Sequence, residues 1–454
     1  MSAGSGSSRA QTAHTRHFQI AAALRIVLGL VVFVIFGTLL LLAPGMSTRP
    51  LSVLEAAFTA TSALTVTGMA TIAPATDLTL VGQIALVSLI QLGGVGFMAT
   101  VAIVLLMSGR KLSLANRLAL SDSLGLNSPH MILGLTTRVF ITVAIIEAVG
   151  ALLLWLNWYD ELGQRAPFYA IFFAISVFCN SSFDMFTGLR EFPQGMPNDS
   201  MTLLVLGVLV VLGGLGIPVL SDIITWPKQR QLSLHTRLTL ITITGLIVAG
   251  GLGIFLGERR DNGLLSNVGL WRQIELSVFQ SIGARTAGIA IFQPFEQLHQ
   301  ASQLVLIVLM FIGCGPASMG GGITTGTFSV LMLAVISYAR QKPAPQFAGR
   351  TIAIGLVRKA AAILMVSLFA VSLATWGLLM SNELLLNEAL FEVVSAFATS
   401  GLSLSVTAKL NTTGQIIIML MMFWGRLGAL TLVLALANPG QPLVNYPEES
   451  VLIG

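Results

Sequence analysis

Four short segments of this sequence repeat one chemistry. They read Glu55–Gly68 (EAAFTATSALTVTG), Tyr169–Ser182 (YAIFFAISVFCNSS), Glu275–Gly288 (ELSVFQSIGARTAG) and Glu388–Gly401 (EALFEVVSAFATSG). Aligned on their last residues, they fall 114, 106 and 113 residues apart, and a period of that size marks internal repetition. Each ends in an uncharged tripeptide: Val66-Thr67-Gly68, Asn180-Ser181-Ser182, Thr286-Ala287-Gly288 and Thr399-Ser400-Gly401. No charged side chain is present to ring a divalent ion. Main-chain carbonyls of four loops around one axis, however, can replace the water shell of a monovalent cation. A small last residue allows the unusual dihedrals that turn such carbonyls inward. One glycine in an apolar segment would be read as a helix-packing site. Four small residues in register behind four half-length helices are read as the corners of a pseudo-fourfold cation pore.

Holding such corners in place falls to membrane helices. The chain is 55% hydrophobic and 9% charged, with a mean hydropathy of +0.86. A soluble domain carries about a quarter charged residues, so this is an integral membrane protein. Eight apolar runs reach the roughly 20 residues that a bilayer requires: 24–43, 79–107, 134–158, 201–226, 238–256, 300–338, 358–380 and 413–437. One repeated segment lies within each consecutive pair of runs, and with about a dozen helical residues it is too short to cross. The expected fold is all-α integral membrane: four membrane-pore-membrane repeats, eight transmembrane helices plus four re-entrant pore helices, around a pseudo-fourfold axis. The repeats are placed at 21–110, 111–230, 231–345 and 346–437, with a disordered N-terminus at 1–20 and a C-terminal tail at 438–454.

The 24 Lys and Arg residues do not form one stripe. Most lie in Arg9–Arg25, Arg110–Arg138, Lys228–Arg237 and Arg340–Lys359, stretches that hold a single acid, Asp122. That is the positive-inside signature and not a nucleic-acid surface. It puts both termini and the loops between repeats in the cytoplasm, with the re-entrant segments entering from outside the cytoplasmic membrane. Glu55, Glu275 and Glu388 are placed at the outer starts of half-helices, where a carboxylate complements the N-terminal dipole. The same three also suit an acidic mouth that concentrates cations. The carbonyl ends of these helices point at the cavity and favour a cation there.

The sixth run is too long for one straight span. Its middle reads Gly313-Cys314-Gly315-Pro316-Ala317-Ser318-Met319-Gly320-Gly321-Gly322, and Gly and Pro at this density cannot hold a helix. Irregular backbone at membrane depth must be buried in protein or face water. We read it as a broken helix whose loop lies in the permeation path, in preference to a kinked, closely packed span. Arg285, before the third tripeptide, and Arg426, in FWGRLGAL, are charges at costly depth, which by default signals function. Arg426 hydrogen-bonds carbonyls of the 313–322 loop, or repels cations and sets a gate, or is a purely structural arginine that ties backbone carbonyls together. Glu147 is either a buried partner for one of these arginines or a residue near the outer end of its span.

Gly93-Gly94-Val95-Gly96 and Gly213-Gly214-Leu215-Gly216 superficially match nucleotide-binding glycines. They lie in apolar runs without the strand and helix that fingerprint requires, and close packing is the better account. Cys179 and Cys314 suggest neither a disulfide framework nor a metal cluster. There is no Walker sequence and no grouping of nucleophile, base and orienting residue, so no enzyme is expected. A carrier of organic solutes would show paired repeats with broken helices in corresponding halves. Here the repeat is fourfold and one run is clearly broken.

TSALTVTG (61–68), QSIGARTAG (280–288), GGGI (320–323), SAFATSGL (395–402), GRLG (425–428) and the tail Tyr446–Gly454 resemble the Trk/Ktr/HKT superfamily of potassium transporters, most closely its KtrB branch. The resemblance covers nearly the whole chain. It implies potassium uptake by a homodimer with one pore per subunit, and potassium as substrate at the tripeptide carbonyls. It also implies that Gly68, Gly288 and Gly401 are filter glycines, that the loop Gly313–Gly326 is an intramembrane gate, and that Arg426 faces it. It implies no cofactor in this chain: nucleotide binds a cytoplasmic ring of RCK-type (KtrA-like) subunits, and sodium often activates uptake. The sequence departs from the family at Ser182, normally Gly. Serine carries a Cβ and tolerates positive φ poorly, and a Gly-to-Ser change in another repeat accompanies sodium permeation in some plant HKT relatives. The expectation is a potassium transporter with relaxed discrimination against sodium; the alternative is a sodium-permeable or sodium-selective transporter of the same fold.

Overall fold

The computed structural model describes residues 27–94, 132–181, 183–186, 189, 195–260 and 263–428. Ser182, the segments 1–20 and 438–454, most of the basic stretch 110–138, and the ends of the second and eighth apolar runs lie outside the described residues. The described chain is built from helices: α1 (Val27–Leu41), α2 (Val53–Thr65), α3 (Leu80–Gly94), α4 (Ile132–Leu162), α5 (Ala166–Phe178), α6 (Ser200–Leu215) and α7 (Ile217–Gln229). They continue as α8 (Leu234–Glu258), α9 (Leu270–Ala284), α10 (Gln300–Ile312), α11 (Thr325–Ala339), α12 (Ile354–Ser381), α13 (Leu386–Ala398) and α14 (Thr412–Leu427). A two-residue antiparallel pair, β1 (Gln346–Phe347) and β2 (Arg350–Thr351), joins α11 to α12.

The solvation pattern is inverted relative to a protein in water. Helices α4, α8 and α12 are long and apolar enough to cross a bilayer. Ile141, Ile145, Val149 and Leu152 of α4, and Met365, Phe369, Leu373 and Trp376 of α12, are exposed at helical spacing, an apolar face suited to lipid. The short helices bury polar groups instead: Thr59, Thr61, Ser62 and Thr65 of α2 are all inside, beside Phe58 and Leu64. Many of these hydroxyls are satisfied by their own helix, as where Thr65 Oγ1 donates to Thr61 O at 2.8 Å. Such pairing lets a polar side chain sit away from water.

Length alone would pass Phe140–Phe178 as one span. The chain instead reverses at the 3-10 turn Gly163–Arg165, and Trp158 of α4 stands edge-on to Phe173 of α5 with ring centres 5.6 Å apart. The run 201–226, expected as one continuous span, is also corrected: α6 and α7 meet at a 102° bend. Gly216 has φ 90° there and Pro218 follows within the first turn of α7. The sixth run is therefore not the only broken one. It divides into α10 and α11, with the glycine-rich segment between them.

The helix contacts close a cycle. Each short helix packs on the helix that follows it: α2 on α3, α5 on α6, α9 on α10 and α13 on α14. Each following helix also packs on the next short helix: α3 on α5, α6 on α9, α10 on α13, and α14 back on α2.

The starts of the short helices differ from one another. In α2 a capping box operates, with Glu55 Oε2 accepting from Ser52 N at 2.8 Å, and Arg49 adds an ion pair to Glu55 at 2.8 Å. Glu388 Oε2 likewise accepts from Leu385 N at 3.0 Å. Glu275 does not start its helix as expected. Helix α9 begins at Leu270 and runs 15 residues against 13 in α2, so this carboxylate stands in the second turn, 2.6 Å from Arg272.

Candidate functional site

Three of the four short helices end in the same way. The first tripeptide residue turns left-handed: Val66 at φ 59°, Asn180 at φ 59° and Thr399 at φ 51°. The next N–H, of Thr67, Ser181 or Ser400, reaches back five residues to the carbonyl of Ser62, Ser176 or Ser395 at 2.8, 2.7 and 2.8 Å. That is the closure of a Schellman turn, made without glycine at the left-handed position. Val66 and Thr399 are β-branched, for which positive φ is a true outlier, and such strain persists only where the surroundings over-determine it. The serines contribute their side chains too: Ser62 Oγ accepts from Gly68 N at 3.0 Å, and Ser176 Oγ donates to Ser181 O.

The third helix ends differently. Ile282 replaces the serine, Thr286 has φ 101°, and Gly288 N bonds Gly283 O at 2.8 Å. At the last tripeptide position Gly68, Gly288 and Gly401 all have positive φ, at 90°, 50° and 87°. This is the use foreseen for a small residue there. The left-handed first position was not foreseen, because Val66, Thr286 and Thr399 are β-branched types that disfavour it; Asn180 alone is of a type that tolerates it. The described tripeptide residues are buried, Gly401 partly so.

The chain leaving all four tripeptides lines one cavity of about 630 Å³, including Gly68, Ser181, Gly288 and Gly401. Its acids are Asp184 and Glu296, and no Lys or Arg is among its described lining residues. Glu55, Glu275 and Glu388, read as partners of the helix dipole that also suit an acidic mouth, are not among the lining residues of this cavity. Those carboxylates are engaged with helix starts and arginines, while the acids facing the cavity come from the loops that follow the tripeptides. Their place just after a tripeptide is the signal that could have found them.

The glycine motifs are close-packing sites. A Cβ on Gly93, Gly213 or Gly425 would overlap the carbonyl oxygen of Leu64, Phe178 or Phe397. Each of these is two residues before a left-handed first position. The glycine-rich segment docks on the second of these sites: Gly315 N donates to Gly214 O at 2.8 Å and Ile217 N to Ala317 O at 3.0 Å. A Cβ on Gly216 would overlap Pro316 O, so the bend between α6 and α7 accommodates the segment.

Arg426 donates to Met319 O of that segment, and to Gly93 O and Gly94 O of α3, the last at 3.2 Å. These bonds tie backbone carbonyls of the segment and of α3 to one side chain. Arg285 is buried and donates to Gly313 O at 3.2 Å. Glu147 is also buried, and its hydrogen bond comes from Gln91, at 3.1 Å, rather than from either arginine. Cys179 and Cys314 are both unpaired and buried. The segment from Gly313 to Gly322 thus bonds Gly214, Arg285 and Arg426, and Arg426 in turn ties it to Gly93 and Gly94 of α3.

These features define a multi-pass helical membrane protein in which the chain leaving four short helices lines one cavity. Its fold matches the crystal structure of the potassium transporter TrkH from Vibrio parahaemolyticus, with a TM-score of 0.73 and 17% identity, over 92% of this chain and 84% of that one. The TrkH family model, described as a cation transport protein, matches residues 4–445. The Ktr system potassium uptake protein B of Vibrio alginolyticus is 36% identical over 91% of each chain. The potassium/sodium uptake protein NtpJ of Enterococcus hirae is 30% identical over 94% of this chain and 96% of its own. The chain belongs to the TrkH family, in the KtrB-type branch of the Trk/Ktr superfamily, whose members are cation transporters and not enzymes.

Proposed function

We propose that this chain is the channel-like translocating subunit of a Ktr-type potassium-uptake system in the cytoplasmic membrane. Potassium is the substrate, stripped of water by main-chain oxygens of residues 66–68, 180–182, 286–288 and 399–401. The segment Gly313–Gly322, with Arg426, gates the path. The observation that carries this reading is the meeting of four uncharged, left-handed corners at one cavity that has acids but no bases along its described lining. The cyclic packing of short and following helices supports four membrane-pore-membrane repeats at 21–110, 111–230, 231–345 and 346–437. The basic stretches support cytoplasmic termini. Similarity to a protein named for potassium uptake in a Ktr system supports potassium as the ion and a multi-component system; a homodimer and a nucleotide-binding RCK-type ring on the cytoplasmic face complete the proposal. Sodium as an activator follows from the same kinship.

A second reading, a sodium-permeable or sodium-selective transporter, is favoured by Ser182 and by the potassium/sodium name of the Enterococcus relative. Flux into proteoliposomes decides between them. Rubidium influx competed by potassium is expected, with a smaller sodium influx that Ser182→Gly suppresses. Sodium influx exceeding rubidium influx would select the second reading, and unchanged selectivity in Ser182→Gly would remove Ser182 from the account. Saturable flux of an organic solute without alkali-metal flux would overturn both.

A further inference from the structure

The first tripeptide residues and the glycine-rich segment are shaped around each other. Thr286 Oγ1 accepts from Asn180 Nδ2 at 2.9 Å and lies 2.8 Å from Cys314 Sγ, which Asn180 Nδ2 also reaches at 3.5 Å. Cys314 Sγ donates to Arg285 O at 2.8 Å. At the fourth corner Gly321 N donates to Thr399 Oγ1 at 2.9 Å and to Ala398 O at 3.2 Å. A Cβ on Gly320 would overlap Thr286 Oγ1, and one on Gly321 would fall 2.9 Å from Thr399 Oγ1. These two glycines are small because two threonine side chains occupy the space beside them. The first corner has no counterpart: Val66 takes the same left-handed conformation with no polar group on its side chain.

We propose that Asn180, Thr286 and Thr399 are positioning residues that latch the segment from Cys314 to Gly321 onto the second, third and fourth corners. Displacing the segment and rearranging those three corners are then one event. The proposal rests on the reading of this segment as the gate. Left-handed β-branched residues are strained, and the bonds from their hydroxyls to the segment are part of what holds them so. When the segment leaves, the Thr399 hydroxyl loses Gly321 N and the Thr286 hydroxyl loses Cys314 and keeps only Asn180, and the corners relax. A passing ion then meets a different set of oxygens, which ties selectivity to the position of the gate.

Thr286→Val and Thr399→Val test this in the full chain, reconstituted without any partner. Valine preserves the branched shape, and Val66 shows that it is accommodated at this position; only the hydroxyl is lost. Initial rubidium influx is expected to rise about fivefold in each, the shift in closed–open balance that one lost buried hydrogen bond gives. The sodium-to-rubidium flux ratio should change in parallel, and Thr286→Ser and Thr399→Ser should restore both. A chain shortened by Met319–Gly321 is measured alongside. If shortening raises influx while both valine variants match wild type, the latch is overturned and the gate stands. If shortening leaves influx unchanged, the gate reading fails and the latch with it. If the valine and serine variants lose influx and thermal stability alike, the threonines are packing groups only and the latch is overturned.

Discussion

The first and third corners of this molecule meet the same requirement with different parts. At the first, Ser62 closes the turn after α2 with both its carbonyl and its hydroxyl. Gly93 brings α3 onto Leu64 O, and Val66 contributes only shape. At the third, Ile282 stands in the serine position, α10 stops at Ile312, and Thr286 and Arg285 reach the broken segment through hydrogen bonds. Where the following helix brings glycines against the corner, as α3 does with Gly93 on Leu64 O, the corner is held by close packing. Where that helix gives way to the irregular segment, polar groups take over. Close packing resists deformation because any displacement overlaps atoms or opens a void. Hydrogen bonds can be exchanged for others at small net cost. The third corner is therefore built to let go, and the first to stay.

The largest expected effect attacks the packed corner. Gly93→Val forces a side chain into Leu64 O and should abolish transport and cost about 3 kcal/mol or more of stability, judged by overpacking elsewhere. Gly245→Val, in α8 with no atom near its added Cβ, should leave thermal midpoint and influx unchanged. A normal Gly93→Val protein would break the comparison.

Next comes Arg285→Met at the third corner. It removes the donor to Gly313 O and should cost about 1–3 kcal/mol, the range for a buried group left without its partner. Thermal unfolding in detergent, with and without Thr286→Val, would show whether the two residues support the same segment.

Ser62→Ala should cost about 1 kcal/mol, one buried hydrogen bond, and lower the rubidium-over-sodium flux ratio several-fold. Ile282→Ser should gain nothing, because Gly288 N is already bonded to Gly283 O. Equal effects at both positions would erase the distinction between the corners.

The smallest effect lies at the start of α2. The hydrogen bond from Arg49 holds the Glu55 carboxyl well below the ordinary carboxylate range, at about 2. A depressed acid stabilises the fold above its unfolded value and loses that contribution as pH falls through the folded one. Both side chains are partly exposed, so Glu55→Gln should cost under about 1 kcal/mol at neutral pH. The gap to wild type should close as pH drops from 4.5 toward about 2.

The sequence by itself determined the parts that depend on local chemistry. Apolar run lengths marked the long helices α4, α8 and α12, and the recurrence of one tripeptide pattern marked the turns that end the short helices. Gly68, Gly288 and Gly401 could be read because glycine is the residue that positive φ selects. The density of Gly and Pro from Gly313 to Gly322 announced broken backbone.

Only the tertiary structure decided the rest. Val66, Asn180, Thr286 and Thr399 turn left-handed against the preferences of mostly unsuitable side chains, because the packing around them outweighs local propensity. The 102° bend at Gly216 follows from the segment that docks there, about 100 residues away in sequence. Asp184 and Glu296 line the cavity, whereas Glu55 and Glu388 cap their helices and Glu275 pairs with Arg272. Periodicity reports what a segment prefers alone; which carbonyl it must press against is fixed only when all four repeats assemble.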